Sequence, residues 1–558
     1  MSRAGAAWMV GLTLCLCLLT VYPLATLVYG SFSTTPPGLP GAFNLAGYAK
    51  VLSWSNLGIV GNTVLIAAAK TVIACALAVF FAWVVARTDT PFRGTLEVLL
   101  TLPFFIPPII TATAWALLGN AQVGTVNIAW RSLTGFDAPL VNVYSYGGII
   151  WHMVQHTTPF VFLLVVDAFR AMDPSLEEAS RMSGASRWQT FWKITLVLML
   201  PVTTSAAILS FMRGIEAFES PLFFGTPANV QVLVTEIYRA INVNAVPDYQ
   251  YATALAFSVM VLLFVLIALQ WWVLGGRNFT TVTGKGYSPG VTPLGRWRWV
   301  TFALCVLFIL LALVLPLGQL LIGSFQRFVG FYQWDMLTLN NYREVFASRA
   351  IWRAFWNTML LGVAGSTLTM ILGGFVAYVS VRTQWRGRRL IETLAWLPWM
   401  MPGIVLGIGL LWGFAIIPGP VQIYGTIWAL LLAYVTLGTP LAVRIMTGAY
   451  AQLSLDLEEA SRVSGASWLQ TLWRILVALS WPAFSVGWTL TFFGIMRELS
   501  ASVLLFSTGN EVLSVAMLHL WAAGDQEQVM VIGLLTMCLV FIFRGVQLAI
   551  LKRQISTL

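Results

Sequence analysis

Apolar residues run along this chain in long uninterrupted stretches rather than in short alternations with polar residues. Four runs contain no Asp, Glu, Lys or Arg: 194–212, 249–276, 393–443 and 475–496. A helix of about 20 apolar residues crosses the hydrocarbon core of a bilayer, and backbone polar groups in lipid must be satisfied within helices or closed barrels. Because these runs are continuous rather than alternating, they predict membrane-spanning helices.

The pattern predicts two sets of such helices, one in each half of the chain. The first set covers 8–30, 57–86, 96–120, 143–168, 194–215 and 250–275. The second set covers 299–323, 354–381, 392–416, 425–447, 475–496 and 527–549. We therefore expect an all-α integral membrane protein with about twelve transmembrane helices.

Composition and charge agree with a membrane protein. Hydrophobic residues make up 58% of the chain and charged residues 9%, and a soluble fold could not cover that much apolar surface. Most of the 31 Lys and Arg residues lie in loops on one predicted side of the membrane. By the positive-inside rule this side is the cytoplasm, and both termini lie there. The net charge of +10 therefore reflects topology, and no basic face for nucleic acid is predicted.

The two halves repeat each other in parallel. Three pairs of sites recur at one constant spacing: Asn62-Thr63 with Asn357-Thr358, Arg87-Thr88 with Arg382-Thr383, and Pro103 with Pro398. Matching loops fall on the same side of the membrane, as in parallel repeats related by an axis along the membrane normal. The predicted domains are 1–275 and 299–558, joined by a cytoplasmic linker at 276–298. Extra residues within 119–148 lengthen the first half.

One polar sequence occurs twice in this apolar chain. It reads LEEASRMSGASRWQTFWKI at 176–194 and LEEASRVSGASWLQTLWRI at 457–475. Each copy follows the fourth predicted span of its half, on the cytoplasmic side. Acidic residues in the first turn favour a helix, and Gly184 and Gly465 permit the left-handed turn that ends one. We predict two short surface helices with a bend in each copy. A plain connecting loop would not need the same residues twice, which favours a docking element for a partner with two equivalent sites.

These residues resemble the EAA loop of binding-protein-dependent ABC importer permeases. The pattern Glu-Ala-Ser-x-x-x-Gly-x9-Ile is found at Glu178, Ala179, Ser180, Gly184 and Ile194, and again at Glu459, Ala460, Ser461, Gly465 and Ile475. The family continues with Ile-x-Leu-Pro, whereas Val197 and Ala478 stand at that Pro here. This departure leaves the start of the fifth span open. Two permease domains in one chain look like the ferric iron, thiamine and 2-aminoethylphosphonate branch, and 218–238 and 497–515 are similar to its ferric members.

The resemblance implies a permease subunit in a bacterial cytoplasmic (inner) membrane, coupled to two ABC ATPase subunits that form a homodimer. It also implies a periplasmic or lipid-anchored substrate-binding protein, and iron(III) as substrate, with thiamine, 2-aminoethylphosphonate or a polyamine as alternatives. The implied coupling residues are Glu177, Glu178, Ala179, Ser180, Arg181 and Gly184, with Glu458, Glu459, Ala460, Ser461, Arg462 and Gly465. The sequence contains no GxxxxGK[ST] phosphate loop. We therefore expect no cofactor and no enzymatic activity in this chain, with ATP and Mg²⁺ held by the partner.

Ionisable residues at span ends are candidates for the substrate pathway, because such groups are costly in a membrane. They are Arg213, Glu216, Glu219, Arg497 and Glu498, together with the nearby Ser502. They follow the fifth span of each half, so we expect them to face each other. An internal Arg213–Glu216 ion pair is an equal alternative. Lys70 lies mid-span and either reaches the interface or pairs with a neighbouring helix.

Other signals leave alternatives open. Pro103, Pro107, Pro108, Pro398 and Pro402 fall early in the third span of each half and indicate packing kinks or a gate. His152 and His156 lie four residues apart without a third ligand nearby, so no metal site is predicted. A twelve-helix secondary transporter is the competing class, but it would not need a duplicated docking loop. A membrane enzyme is disfavoured because no nucleophile–base set or cofactor motif is found.

Overall fold

A computed structural model gives the fold and describes residues 3–274, 291–328, 330, 334–416 and 422–555. Most of the predicted linker at 276–298 lies outside the described residues. In the described part the chain is helical, and its β contacts are isolated bridges. Within the described ranges, ten helices are long and apolar enough to cross a membrane, and the number rises to 12 if each of two bent helix pairs is one span. The all-α membrane fold is confirmed.

The spans follow the same order in both halves. The first half contains Trp8–Phe32, Trp54–Arg87, the bent pair Arg93–Phe105 with Pro108–Leu118, Tyr146–Ala171, Trp188–Ile215 and Tyr249–Leu269. The second half contains Trp297–Ser324, Arg349–Arg382, the bent pair Arg388–Met400 with Gly403–Ile416, Ile427–Gln452, Trp468–Met496 and Gln526–Phe543. Helices outside the spans include Ala46–Val51, Thr125–Thr134, Pro174–Met182, Leu233–Asn242, Asn340–Ala347, Asp456–Val463, Ser502–Leu505 and Leu513–Ala523.

The third span of each half, predicted at 96–120 and 392–416 with packing kinks or a gate at its prolines, is broken far more sharply than a packing kink. The two segments meet at 97° in the first half and at 110° in the second. A proline ring pushes the preceding residue out of helical conformation. Ile106 before Pro107 has ψ 127°, and Met401 before Pro402 has ψ 106°. The prolines therefore end one helix and begin another instead of producing a modest kink.

The first span of each half packs against the third span of the other half. Tyr22 donates a hydrogen bond to the carbonyl of Gly413 at 2.6 Å, and Thr26 donates to the carbonyl of Gly409 at 2.6 Å. A Cβ at Gly409 would lie 2.5 Å from the Pro23 carbonyl oxygen, so only glycine permits this approach. In the second half, Leu315–Ser324 packs against Pro108–Leu118. The two halves are thereby interleaved around the broken spans.

Candidate functional site

The first polar sequence forms loop helix 1 (Pro174–Met182), which is fixed at Glu177. The Glu177 carboxylate is buried and forms an ion pair with Arg87 at 2.5 Å from Nη2 to Oε2. Thr195 donates a hydrogen bond to the other oxygen, Oε1, at 2.6 Å. Arg87 ends the second span and Thr195 lies near the start of the fifth. Glu177 therefore joins loop helix 1 to both spans.

The second polar sequence forms loop helix 2 (Asp456–Val463), with the same anchor. Glu458 is buried, and its Oε1 lies 3.3 Å from Nε of Arg382, which ends the second span of its half. Arg382 also donates to the carbonyls of Tyr450 and Leu453, each at 2.7 Å. Leu476 stands where Thr195 stands in the first half. The repeat in sequence is therefore also a repeat in structure, without the threonine contact.

A glycine in left-handed conformation ends each loop helix, as predicted. Gly184 has φ +87° and Gly465 has φ +83°, a region that residues with a side chain rarely adopt. Both positions have open space where a Cβ would lie. The requirement for glycine therefore comes from the backbone turn and not from crowding.

The expected second surface helix of each copy is instead the beginning of the fifth span. Helical structure runs without a gap through Trp188–Ile215 and Trp468–Met496, each with a π-helical segment near its start. A proline would remove a backbone donor there, whereas Val197 and Ala478 keep theirs. The departure from the family pattern thus accompanies an uninterrupted helix.

The predicted coupling residues divide into exposed and anchored groups. Exposed are Glu178, Ala179, Arg181 and Gly184, with Glu459, Ala460, Arg462 and Gly465. Ser180 and Ser461 are half-buried and bond to Thr190 and Thr471 at 3.0 and 2.9 Å. At the tips, Met182 is 90% exposed and Val463 is 89% exposed. Each loop helix therefore presents acidic, basic and apolar groups on one free face.

The charged residues after the fifth spans come together across the two halves. We call Arg213, Glu216, Glu219, Arg497 and Glu498 the charged cluster. Glu219 interacts electrostatically with Arg497 and Glu498, and Glu216 interacts with Glu498. Each of these side chains retains accessible surface. The cluster is therefore only partly shielded from solvent.

The Arg213–Glu216 pair and the Arg497 contacts show how the charged cluster is held. Arg213 Nη1 lies 3.4 Å from Glu216 Oε2, so the ion pair considered as an alternative exists within the cluster. Arg497 donates to the carbonyl of Phe104 at 2.9 Å, and its guanidinium lies over the Phe104 ring. Phe104 belongs to the broken third span of the first half, so this contact crosses between the halves.

Glu498 and the nearby Ser502 are held by contacts with the turn after the fifth span and with two other spans of the second half. Glu498 Oε1 accepts a hydrogen bond from the backbone N–H of Ala501 at 2.9 Å. A Cβ at Gly403, where the second segment of a broken span begins, would lie 2.7 Å from that oxygen. Ser502 is fully buried, and its hydroxyl lies 2.7 Å from the Tyr434 hydroxyl. Ser502 is therefore a buried support for the charged cluster, and its hydroxyl also donates to the Glu498 carbonyl at 3.0 Å.

Lys70 pairs with a neighbouring helix, the second of its two expected roles. Its ammonium donates to the carbonyl and the hydroxyl of Ser210 at 2.6 and 3.2 Å. The imidazoles of His152 and His156 both bond to the Thr111 hydroxyl, at 2.9 and 2.7 Å. Among the described residues, no group of three or more His, Cys, Asp or Glu is arranged to hold a metal ion.

Sequence reasoning did not assign roles to several residues at these sites. Arg87 and Arg382 served only as markers of the repeat, although the recurrence of an arginine as the last residue of the second span in each half was a usable signal. Phe104, Gly403 and Tyr434 gave no signal, because they join the charged cluster only through the breaks and packing of distant spans.

Known proteins are similar to this chain over most of its length. Residues 71–327 and 365–556 match the family described as binding-protein-dependent transport system inner membrane component. The ferric transport system permease protein FbpB of Actinobacillus pleuropneumoniae is 27% identical, over 82% of this chain and 65% of that protein, so less than two thirds of the relative is spanned. The Fe(3+)-transport system permease protein FbpB 2 of Haemophilus influenzae is 23% identical over 89% of each chain. A solved bacterial ABC transporter that imports alginate is 14% identical, with a TM-score of 0.38 over 46% of this chain and 96% of that one.

Proposed function

Because the chain belongs to the family of binding-protein-dependent transport system inner membrane components, we propose that it forms the substrate pathway of an ATP-driven importer. The family consists of transport permeases, not enzymes. The observation that carries the proposal is the exposed loop helix with a buried anchor glutamate, built once in each half. Two equivalent helices fit a partner with two equivalent sites, such as a homodimer of ABC ATPase subunits.

In this proposal, ATP and Mg²⁺ bind to the ATPase subunits, and the loop helices transmit their closure to the spans. Such coupling requires an element that moves between two arrangements. The interleaved halves meet at the charged cluster, where a rocking motion would open or close the pathway. Both termini and the loop helices face the cytoplasm. A periplasmic or lipid-anchored binding protein delivers substrate on the opposite side.

Iron(III) is the proposed substrate. The two ferric permease relatives match most of the chain, and the charged cluster supplies three carboxylates. Hard cations prefer oxygen ligands, while Arg213 and Arg497 beside the carboxylates weaken retention of a cation. In this proposal the acids guide the ion along the pathway without holding it. Thiamine, 2-aminoethylphosphonate and a polyamine are the alternatives that the test must separate.

Uptake by proteoliposomes tests this function. The chain, its ATPase and its binding protein are reconstituted, and radiolabelled iron(III) on the binding protein is supplied with ATP inside or with a proton gradient alone. We expect iron uptake with ATP and none with the gradient. Uptake with the gradient alone would instead identify a secondary transporter. ATP-dependent uptake of thiamine, 2-aminoethylphosphonate or a polyamine, with no uptake of iron, would support the importer function but contradict iron(III) as its substrate.

A further inference from the structure

A buried arginine connects three elements at the same end of each half. In the first half, Arg87 is fully buried, pairs with Glu177 of loop helix 1 and donates to the carbonyl of Met172 at 3.3 Å. Met172 directly follows the fourth span, Tyr146–Ala171. Carbonyls at a helix end lack partners within the helix and favour a cation. Arg87 thus links the second span, the fourth span and loop helix 1.

Arg382 makes the same connection in the second half. Its side chain is 3% exposed and faces Glu458 of loop helix 2, while Tyr450 and Leu453 at the end of the fourth span supply carbonyl acceptors. A buried charge is retained at a cost unless it is paired and hydrogen-bonded. Exposed arginines would satisfy the topology rule equally well. The burial of this arginine in both halves therefore indicates a role in joining the elements.

The second span carries this connection into the middle of the molecule. It is one unbroken helix from Trp54 to Arg87, and Lys70 in its middle donates to the Ser210 carbonyl of the fifth span. Gly214 of the fifth span packs closely against the second span. A Cβ at Gly214 would lie 2.8 Å from Ala67 Cβ and 2.8 Å from Lys70 Cε. Arg213 and Glu216 of the charged cluster flank this contact. Arg87 therefore joins loop helix 1 to the helix that contacts the charged cluster.

In the first half the connection has further contacts around Glu177 and after Arg87. Thr195 adds its hydrogen bond to Glu177, whereas the second half has Leu476 at the equivalent position. Residues after the predicted linker also reach this point, because the N–H of Thr292 donates to the Arg87 carbonyl at 2.8 Å. The N–H of Leu294 donates to the Asp89 carboxylate at 2.7 Å. The first connection therefore also reaches the fifth span and residues after the predicted linker.

We propose that Arg87 and Arg382 are positioning residues that tie each loop helix to the second span of its own half. Through this tie, closure of the ATPase displaces the second spans instead of being absorbed in the loops. The inference rests on the proposed function, since it presumes that the loop helices receive the ATPase. It assigns a transmission role to residues that are buried behind the exposed faces of the loop helices.

The test measures the separation of the two second spans in the reconstituted complex. Nitroxide labels are placed by Trp54→Cys and Arg349→Cys, the exposed first residues of these spans, in a chain whose 5 native cysteines are replaced by Ala. Distances are recorded without nucleotide and with a non-hydrolysable ATP analogue. We expect a shift in the unmodified background, a much smaller one in Arg87→Gln, and an intermediate one in Arg87→Lys. Arg93→Gln, an exposed arginine at the same end of the molecule, is the control and retains the full shift.

Each result has a distinct meaning. Absence of any nucleotide-dependent shift in the unmodified background counts against the proposed function. A full shift there together with a full shift in Arg87→Gln overturns the tie. If Arg87→Gln does not accumulate in the membrane, Glu177→Gln removes the same ion pair while keeping side-chain shape, and a full shift in that variant overturns the tie equally. For Arg87→Gln we expect the coupling between nucleotide binding and the separation of the second spans to fall by about 10-fold.

Discussion

Glu177 and Glu178 are neighbours in sequence, yet their side chains meet opposite environments. Glu177 is 8% exposed and bonded to Arg87 and Thr195, whereas Glu178 projects from the free face of loop helix 1. Helical geometry separates consecutive side chains by about 100° around the axis, so one can anchor the helix while the next contacts a partner. The equivalent pair Glu458 and Glu459 divides in the same way.

This division predicts that the same substitution has very unequal effects on stability at the two adjacent sites. Glu177→Leu leaves the Arg87 guanidinium buried without its counter-ion, which costs about 3–5 kcal/mol of stability. Glu178→Leu removes only an exposed carboxylate and changes stability by about 0.5 kcal/mol or less. Thermal unfolding of the purified chain in detergent measures both. Equal melting temperatures for the two variants would contradict the anchoring role of Glu177.

For single residues, the sequence predicted which residue types matter in the loop helices. It did not predict which glutamate is the buried anchor and which is exposed. Repetition identified both glutamates, and the glycine requirement at 184 and 465 followed from the need for a left-handed turn. The partner of Glu177 could not be predicted, because Arg87 lies far away in sequence and only the packing of the second span brings it near. Likewise, the burial of Ser502 depends on Tyr434 from a separate span.

Among the secondary-structure elements, the broken third spans most change the expected architecture. Hydropathy predicted their position and the prolines predicted a bend, but not its size, because an apolar window does not register backbone direction. The local signal was present in Pro107 and Pro402, whose rings exclude helical conformation at the residue before them. Breaking these spans places Phe104 and Gly403 beside the charged cluster. Irregular backbone at membrane depth is tolerated where protein or a water-filled cavity surrounds it.

Close packing of the first span on a broken third span gives a second prediction. A Cβ at Gly30 would lie 2.4 Å from the Trp412 ring, whereas Gly11 on the same span has open space. Trp412 is fully buried and bonded to Thr253, so it cannot move aside freely. Gly30→Ala should therefore destabilise the chain by about 1–3 kcal/mol through overpacking.

Gly11→Ala is the matched control and should be neutral or slightly stabilising, since alanine favours helix by up to about 1 kcal/mol over glycine. Thermal unfolding in detergent compares the two variants. A Gly30→Ala chain as stable as the Gly11→Ala chain would contradict the close packing between the halves at this site.

On the scale of the whole molecule, two interleaved halves carry two loop helices at one end and meet at the charged cluster. The sequence predicted the parallel repeat, because matching sites recur at one spacing and matching loops fall on one side. It did not predict the interleaving, since neither Tyr22 nor Gly413 signals its partner. Contacts between halves, such as Arg497 with Phe104, provide a route by which movement at one end can alter the pathway.

The central claim is that the two loop helices dock the ATPase, and co-purification tests it most directly. The chain is tagged, purified from membranes with its ATPase, and compared with Glu178→Lys combined with Glu459→Lys. The control combines Asp137→Lys with Asp525→Lys, two exposed acids on the opposite predicted side of the membrane. Both variants change net charge equally. We predict that the ATPase is lost from the loop-helix variant and retained by the control; undiminished ATPase on the loop-helix variant would contradict the account.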